Sequence, residues 1–433
     1  MIDRTVRRAR RVLREAYLTS GIPSGIDHRR ILRTARAGWR PGARLDGEHL
    51  LLAAPGGGNI GDQAMFEAFL EGTAGRVTVI VRSAAEVTVP AAHASRVTVA
   101  ELPDLVYGAR RAHAADIERF GVMLRTAASF SVVGADIMDG RYVLRPSVRR
   151  SVLAGAAAAA KVDTRILGFS WNGQARVAAR RALVAASRRG AVPMLRDPIS
   201  AERAAGDRVS GIRDVADIVF SATTVDPALL EGLGDLDRPY AIVNVSGLIG
   251  GQVDQAAEYV RIIRHLVDRG LAVVVLPHVS RPDADDLAAC EEVVSRLDGT
   301  PVRFIRSLGT PASIRGLAEG ASVVVTGRMH LAIMSIWSGK PALTLATQGK
   351  VEGLMRMLGT PELCVEPRAG FADEVIRVID DVLPDDSSAR RSIARALPLV
   401  KERARANLAG LAGAAELAEP GVVEDEAVDV TAA

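Results

Sequence analysis

A chain of 433 residues with 48% hydrophobic side chains can bury ample core, and at roughly 150 residues per domain it has length for two or three domains. Two cysteines, Cys290 and Cys364, are too few for a disulfide framework or a zinc site, which fits a reducing cytoplasm. The net charge of +4 is unevenly placed: Met1 to Arg44 carries twelve arginines against three acids and the tail after Glu416 is acidic, so the basic excess marks an arm and not a nucleic-acid-binding body.

The arm covers 1–45. Its segments Val6 to Leu18 and Arg29 to Trp39 read either as a solvated extension or as basic amphipathic helices resting on anionic lipid or a membrane-bound partner. No secretory signal is visible. The longest small apolar run, Val152 to Ala160, has about half the length a membrane-spanning helix requires, so a soluble, cytoplasmic protein with peripheral membrane contact at most is expected.

From His49 short apolar strands alternate with helical segments, the pattern of a parallel sheet covered on both faces. Strands are expected at His49–Ala54, Arg76–Val81, Arg96–Glu101, Phe130–Gly134, Arg165–Phe169 and Val192–Arg196, with helices such as Asp62–Glu71 and Val148–Ala160 between them. They form a first doubly wound domain over 46–220. The turn-rich stretch 221–239, with Pro227, Gly232, Gly234 and Pro239, reads as a linker. A second α/β series over 240–385 has strands at Tyr240–Val245, Ala272–Leu276, Val302–Ile305, Ser322–Val325, Ala342–Leu345 and Leu363–Val365. A helical segment at 386–418 is expected to pack back on the first domain, and a disordered acidic tail at 419–433 ends the chain. The fold class is therefore α/β, with two Rossmann-like doubly wound domains in series.

Open α/β sheets bind ligands beyond the carboxyl ends of their strands, so the polar residues that punctuate those ends are the candidates. The first strand runs into Pro55-Gly56-Gly57-Gly58-Asn59-Ile60-Gly61-Asp62, a literal G-x-G-x-x-G. Asp62 at the helix start would repel a pyrophosphate, and the second strand ends Val81-Arg82-Ser83 without the ribose-binding acid, so Gly58, Asn59 and Asp62 read better as a cleft wall than as a dinucleotide site. After the fourth strand come Asp136 and Asp139, which suit acid, base or hydroxyl-binding work but also ordinary turn chemistry. Ser170 and Arg196 close the fifth and sixth strands, and Asn244 and His278 the first two of the second domain, where a lone histidine is more often structural than catalytic.

The run Val323-Val324-Val325-Thr326-Gly327-Arg328-Met329-His330 carries most: a β-branched strand ends in Thr-Gly, and Arg328 and His330 open an apolar helix, where they read either as anion-binding and proton-transfer groups or as a surface cap and a packed side chain. Lys350, after the next strand, reads either as a phosphate contact or as a partner of Glu352.

These segments, in this order, resemble the polysaccharide pyruvyl transferase family. The likeness rests on Gly58-Asn59-Ile60-Gly61-Asp62-Gln63-Ala64, the Gly134-to-Gly140 turn, Arg196-Asp197 with Ser200, Gly327-Arg328-Met329-His330, and Gly339-Lys340-Pro341 followed by Lys350, over about residues 49 to 360. It implies a GT-B-like pair of domains and transfer of a pyruvyl group from phosphoenolpyruvate to a sugar of a glycan, glycolipid or lipid-linked intermediate as a cyclic ketal. It places the two domains face to face across a cleft, and it assigns Arg328 and His330 as donor-binding and catalytic groups and Arg196 as a second donor ligand. The chemistry then takes His330 as the general acid, Asp136 or Asp139 as the base and Lys350 as a further donor contact, with Gly58, Asn59, Asp62, Ser170 and Asn244 on the cleft and acceptor side. No metal or cofactor is called for. The rival readings are a nucleotide-sugar glycosyltransferase of the same fold, an NADP reductase resting on the glycine fingerprint, and a non-catalytic scaffold.

Overall fold

The structure, a computed structural model, describes residues 13, 15–38, 47–234, 236, 238–250, 253–282, 284–346 and 349–411. Most of the segment Val6 to Leu18 and the whole 419–433 tail lie outside the described residues.

Two parallel sheets organise the chain. The first has seven strands: β1 (His49–Leu52), β2 (Val77–Val81), β3 (Val97–Glu101), β4 (Ser129–Val133), β5 (Asp163–Phe169), β6 (Val192–Leu195) and β7 (Arg213–Asp214). The second has six: β8 (Tyr240–Asn244), β9 (Ala272–Val275), β10 (Arg303–Phe304), β11 (Val323–Thr326), β12 (Ala342–Leu345) and β13 (Cys364–Val365). Central strands such as β2, β4 and β11 are buried at every position, as β-branched runs covered by helices on both faces must be.

The strand orders are β3-β2-β1-β4-β5-β6-β7 and β10-β9-β8-β11-β12-β13, so chain direction across the sheet reverses between β1 and β4 in one and between β8 and β11 in the other. At such a switch point the connections leave on opposite faces and a crevice opens beyond the carboxyl ends. The register seats Thr326 beside Asn244, which puts the Gly327–His330 turn next to the end of β8.

The described part of the N-terminal segment is not a free extension. The Ile22–Arg36 helix packs on the Arg110–Met123 and Leu144–Ala159 helices, burying Ile31 and Ala35 completely, and Asp27 meets His113 Nε2 at 3.0 Å. At the other end the Ser388–Arg405 helix lies on the second domain and on the Ile218–Ser221 crossing, and the buried Asn407 side chain then accepts from Gly168 N (2.8 Å) and donates to Ala216 O (2.9 Å). Within 221–239, the short Ala228–Glu231 helix packs on Pro311–Glu319 of the second domain. Among the described residues no helix is long and apolar enough to cross a membrane.

Candidate active site

The two switch points face each other across a cleft of about 680 Å³ lined by Asn59, Asp62, Asp136 and Arg196 of the first domain and His278, Arg281, Arg328, His330 and Lys350 of the second. Each residue is delivered by a strand end or the helix that follows. Ala135, just past β4, takes a left-handed φ of 46°, a strained geometry for a residue with a Cβ, and thereby turns the chain so that Asp136 meets the cleft.

On the second-domain side, Arg328 is held by a carboxylate that is fully buried. Its Nε lies 3.1 Å from both oxygens of Asp286, and the backbone carbonyl of Ala284 takes Nη2 at 3.3 Å. Asp286 also accepts from Asn244 Nδ2 (3.0 Å) and from the backbone N–H groups of Gly247 (2.9 Å), His278 (3.2 Å) and Val279 (3.1 Å). This carboxylate has its oxygens occupied by donors on every side, and the planar guanidinium fork it grips cannot rotate. Among the described residues nothing accepts from Nη1 of Arg328, which leaves that group for a ligand.

On the first-domain side, Arg196 is 2% exposed and bonds Ser170 Oγ through Nε (2.8 Å) and Asp217 Oδ2 through Nη1 (2.7 Å). The same Asp217 oxygen lies 3.5 Å from His330 Nε2 of the other domain. Burial alone would raise the Asp217 carboxyl, but His330 and then Arg196 outweigh it and hold it well below the usual carboxylate range. The other side of the His330 ring rests on Gly61, where a Cβ would stand 2.2 Å from Nδ1. Glycine at this position is what lets the ring of one domain seat against the helix of the other.

The glycine turn itself is a domain contact. Asn59 caps the Ile60–Glu71 helix through Gly61 N (2.9 Å) and pairs with Val279 in an isolated bridge, and Ser280 N reaches Gly58 O at 2.8 Å. Gly58, at φ 75°, would place a Cβ 2.2 Å from Ser280 O. Arg281 crosses from the second domain to Gly57 O (2.9 Å) and to Asp62 Oδ2 (3.0 Å), so the helix start where a dinucleotide's pyrophosphate would sit holds an ion pair. Burial raises the Asp62 carboxyl above its usual range despite Arg281. Asp136 is ion-paired with Lys350 and takes the Tyr142 hydroxyl at 3.1 Å. Burial opposes ionisation there too, but Lys350 and Arg196 hold the carboxyl far below the usual range.

Of the residues singled out in the sequence, Asn59, Asp62, Asp136, Arg196, Arg328, His330 and Lys350 line this cleft together. Four others do not. Asp139 accepts from Arg141 N (2.8 Å) in a turn and is buried behind the wall, the ordinary turn role of an Asp. Ser170 orients Arg196, Asn244 orients Asp286 and accepts from Thr326 Oγ1 (2.9 Å), and Gly58 carries the domain contact. Asp217, Asp286 and Arg281 are not legible in the sequence: a lone Asp reads as a helix or turn cap and a lone Arg as a surface charge, and only contacts across the fold give them their work. His278 is 1% exposed, neither ring nitrogen has a hydrogen-bond partner among the described residues, and burial first, then His330 and Arg328, keeps its pKa well below the usual value.

The amylovoran biosynthesis protein AmsJ of Erwinia amylovora is 24% identical over 143 residues, 32% of this chain and 34% of that protein, so the match spans about a third of the relative's length. Among solved structures, UDP-GlcNAc 2-epimerase from Methanocaldococcus jannaschii aligns with a TM-score of 0.51 at 11% identity, covering 81% of this chain and 98% of that one. A second UDP-N-acetylglucosamine 2-epimerase aligns at 0.54 and 11% identity, covering 84% and 94%. At such identity the likeness concerns the fold alone, a GT-B-like pair of Rossmann-like domains. The residue pattern of the polysaccharide pyruvyl transferase family matches residues 59–349, from the helix cap Asn59 to the turn before Lys350, and the chain belongs to that family.

Proposed function

We propose that the protein transfers the pyruvyl group of phosphoenolpyruvate onto two hydroxyls of a sugar in a cell-envelope glycan, glycolipid or lipid-linked intermediate, forming a cyclic ketal and releasing phosphate. The observation that carries the reading is the convergence of Arg196, Arg328, Lys350 and His330 from both domains in one cleft. A substrate with a phosphate and a carboxylate suits such a set, since guanidinium forks match both groups.

In this reading His330 gives a proton to the methylene carbon of the donor, leaving an electron-poor C2. One sugar hydroxyl adds there, the C2–O bond to phosphate breaks, and the second hydroxyl closes the ring; one hydroxyl proton replaces that lost by His330 and the other leaves with phosphate. A base must take those protons. Asp136 is poorly suited because its ion pair with Lys350 keeps it a very weak base, and Asp139 is outside the cleft lining. Asp62 suits the role better: it lines the cleft and burial makes its carboxyl more basic than usual. Lys350 and Asp136 together then position the donor. As part of the same reading the protein works in the cytoplasm, at the inner face of a membrane that presents the acceptor.

Purified protein incubated with phosphoenolpyruvate and extracted envelope glycans should add the mass of one pyruvyl group per acceptor and release phosphate in equal amount. His330→Ala should fold normally and do neither. Full activity in that variant would sink the assignment.

A further inference from the structure

Beyond the donor residues, the cleft runs along a wall made by the first domain alone, where Tyr107, Tyr142, Val143, Pro146 and Arg150 meet. Arg150, in the Leu144–Ala159 helix, is 2% exposed. Its Nη2 donates to Tyr107 Oη at 2.8 Å, its guanidinium carbon stands 5.5 Å from the Tyr107 ring centre, and its buried Nε has no partner among the described residues. Among the described residues no carboxylate pairs with it. An arginine keeps its charge, so a buried one without a counter-charge is left with an unmet demand for an anion. Arg82 packs over the same Tyr107 ring at 5.4 Å but is already matched by Glu86 at 2.6 Å.

The Tyr107 loop is itself fixed by arginine. Arg145 Nη2 donates to Tyr107 O at 2.8 Å, and Arg149 Nη1 donates to Val106 O and Gly108 O, both at 2.8 Å. These contacts use backbone carbonyls and add no negative charge, so the wall stays cationic while its aromatic ring stays in place. We infer that Arg150 and Tyr107 form an anion subsite for the acceptor, which therefore carries a phosphate ester or a carboxylate close to the sugar that receives the pyruvyl group. The assignment to the acceptor, and not the donor, rests on the pyruvyl-transfer reading and on position: the donor cations lie where the two domains meet, whereas the recess behind Arg82, Tyr107 and Arg150 is lined by first-domain residues only.

The test is ligand-observed NMR titration of the full chain with methyl phosphate and, separately, methyl glucuronide, each in the presence of saturating phosphoenolpyruvate. Methyl phosphate binding that is weakened about tenfold or more in Arg150→Gln supports a phosphate ester, and the same result with the glucuronide supports a carboxylate. Tyr107→Phe, which removes only the hydroxyl that fixes Nη2, should weaken the same ligand about fivefold and serves if Arg150→Gln does not fold. Binding of neither anion, or binding unchanged in Arg150→Gln, overturns the subsite. Loss of phosphoenolpyruvate affinity in Arg150→Gln overturns the acceptor assignment. If phosphoenolpyruvate itself does not bind, the pyruvyl-transfer reading fails, while the Arg150 dependence of the anion titration is still read without it.

Discussion

His330 faces Asp217 across the domain junction, its Nε2 3.5 Å from an Oδ2 that also receives Arg196 at 2.7 Å. One carboxylate, 1% exposed, thereby fixes a cation of its own domain and aims the imidazole of the other. The separation from His330 is long for a hydrogen bond, and it is expected to shorten when a donor draws the domains together. Asp217→Asn keeps the shape but takes from the buried Arg196 the carboxylate it is hydrogen-bonded to. It should destabilise the protein by about 3 to 5 kcal/mol in denaturant melts and abolish phosphate release. Stability equal to wild type would mean the pair does not hold this junction.

Gly61 offers a cleaner separation of fold from chemistry. It lies in the first turn of a helix, where alanine is favoured over glycine by up to about 1 kcal/mol, so Gly61→Ala should not unfold the helix. The added methyl would nonetheless meet Nδ1 of His330 at 2.2 Å, and the ring must move. A displacement on that scale should lower kcat by about a hundredfold with circular dichroism unchanged. A wild-type rate would show that the ring's seat on Gly61 has no part in turnover.

Much of this was legible in the sequence, for physical reasons that differ by residue. The strands of both sheets stand out because buried parallel strands are continuous apolar runs; only β7 (Arg213–Asp214), two exposed residues at a sheet edge, left no hydrophobic signal. Arg196, Arg328, His330 and Lys350 were visible because strand ends are where α/β sheets put ligands. Asp217 and Asp286 were not, because a carboxylate at a turn or helix start looks like a cap, and Asp217 does also cap Val219 N at 3.0 Å. Their second task depends on partners 21 and 42 residues away, Arg196 and Arg328. In the basic N-terminal segment the run of arginines masks a face, Ile31 and Ala35, that packs on the first domain.

Arg328 tests whether geometry or charge binds the donor. A lysine would keep the charge but lose the two-oxygen grip on Asp286 and with it the fixed direction of the remaining donor group. Arg328→Lys should raise the KM for phosphoenolpyruvate at least about tenfold, the equivalent of one charge-assisted hydrogen bond. An unchanged KM would argue that Arg328 is a structural partner of Asp286 alone.

The N-terminal segment carries the membrane part of the proposal. While Ile31 and Ala35 face inward, Leu13, Tyr17, Ile22 and Ile26 are 70%, 54%, 59% and 43% exposed on a stretch that also carries Arg29, Arg30, Arg33 and Arg36. Exposed apolar side chains flanked by arginine suit the boundary of an anionic bilayer. Flotation with vesicles containing phosphatidylglycerol should carry the protein, less so at high salt, and Ile22→Glu with Ile26→Glu should reduce it. Equal flotation with vesicles of neutral lipid alone would remove the electrostatic part of this account.

The buried, unbonded His278 predicts a stability change just below neutral pH. Its folded pKa is depressed by burial and by the neighbouring His330 and Arg328, so it stays neutral in the fold while the unfolded chain takes up a proton below about pH 6.5. Its contribution is therefore intact above that value and is lost as pH falls toward its folded pKa, at up to about 1.4 kcal/mol per pH unit. Asp136 and Asp217, also depressed, act in a separate window below about pH 4. His28 and His93 are depressed as well, by burial and nearby arginines, and add to the wild-type slope, but they persist in a His278→Asn variant. The difference between the two slopes from pH 7 to pH 5, measured by urea unfolding, isolates His278. Parallel lines would mean that its imidazole finds a partner or a proton within the folded protein.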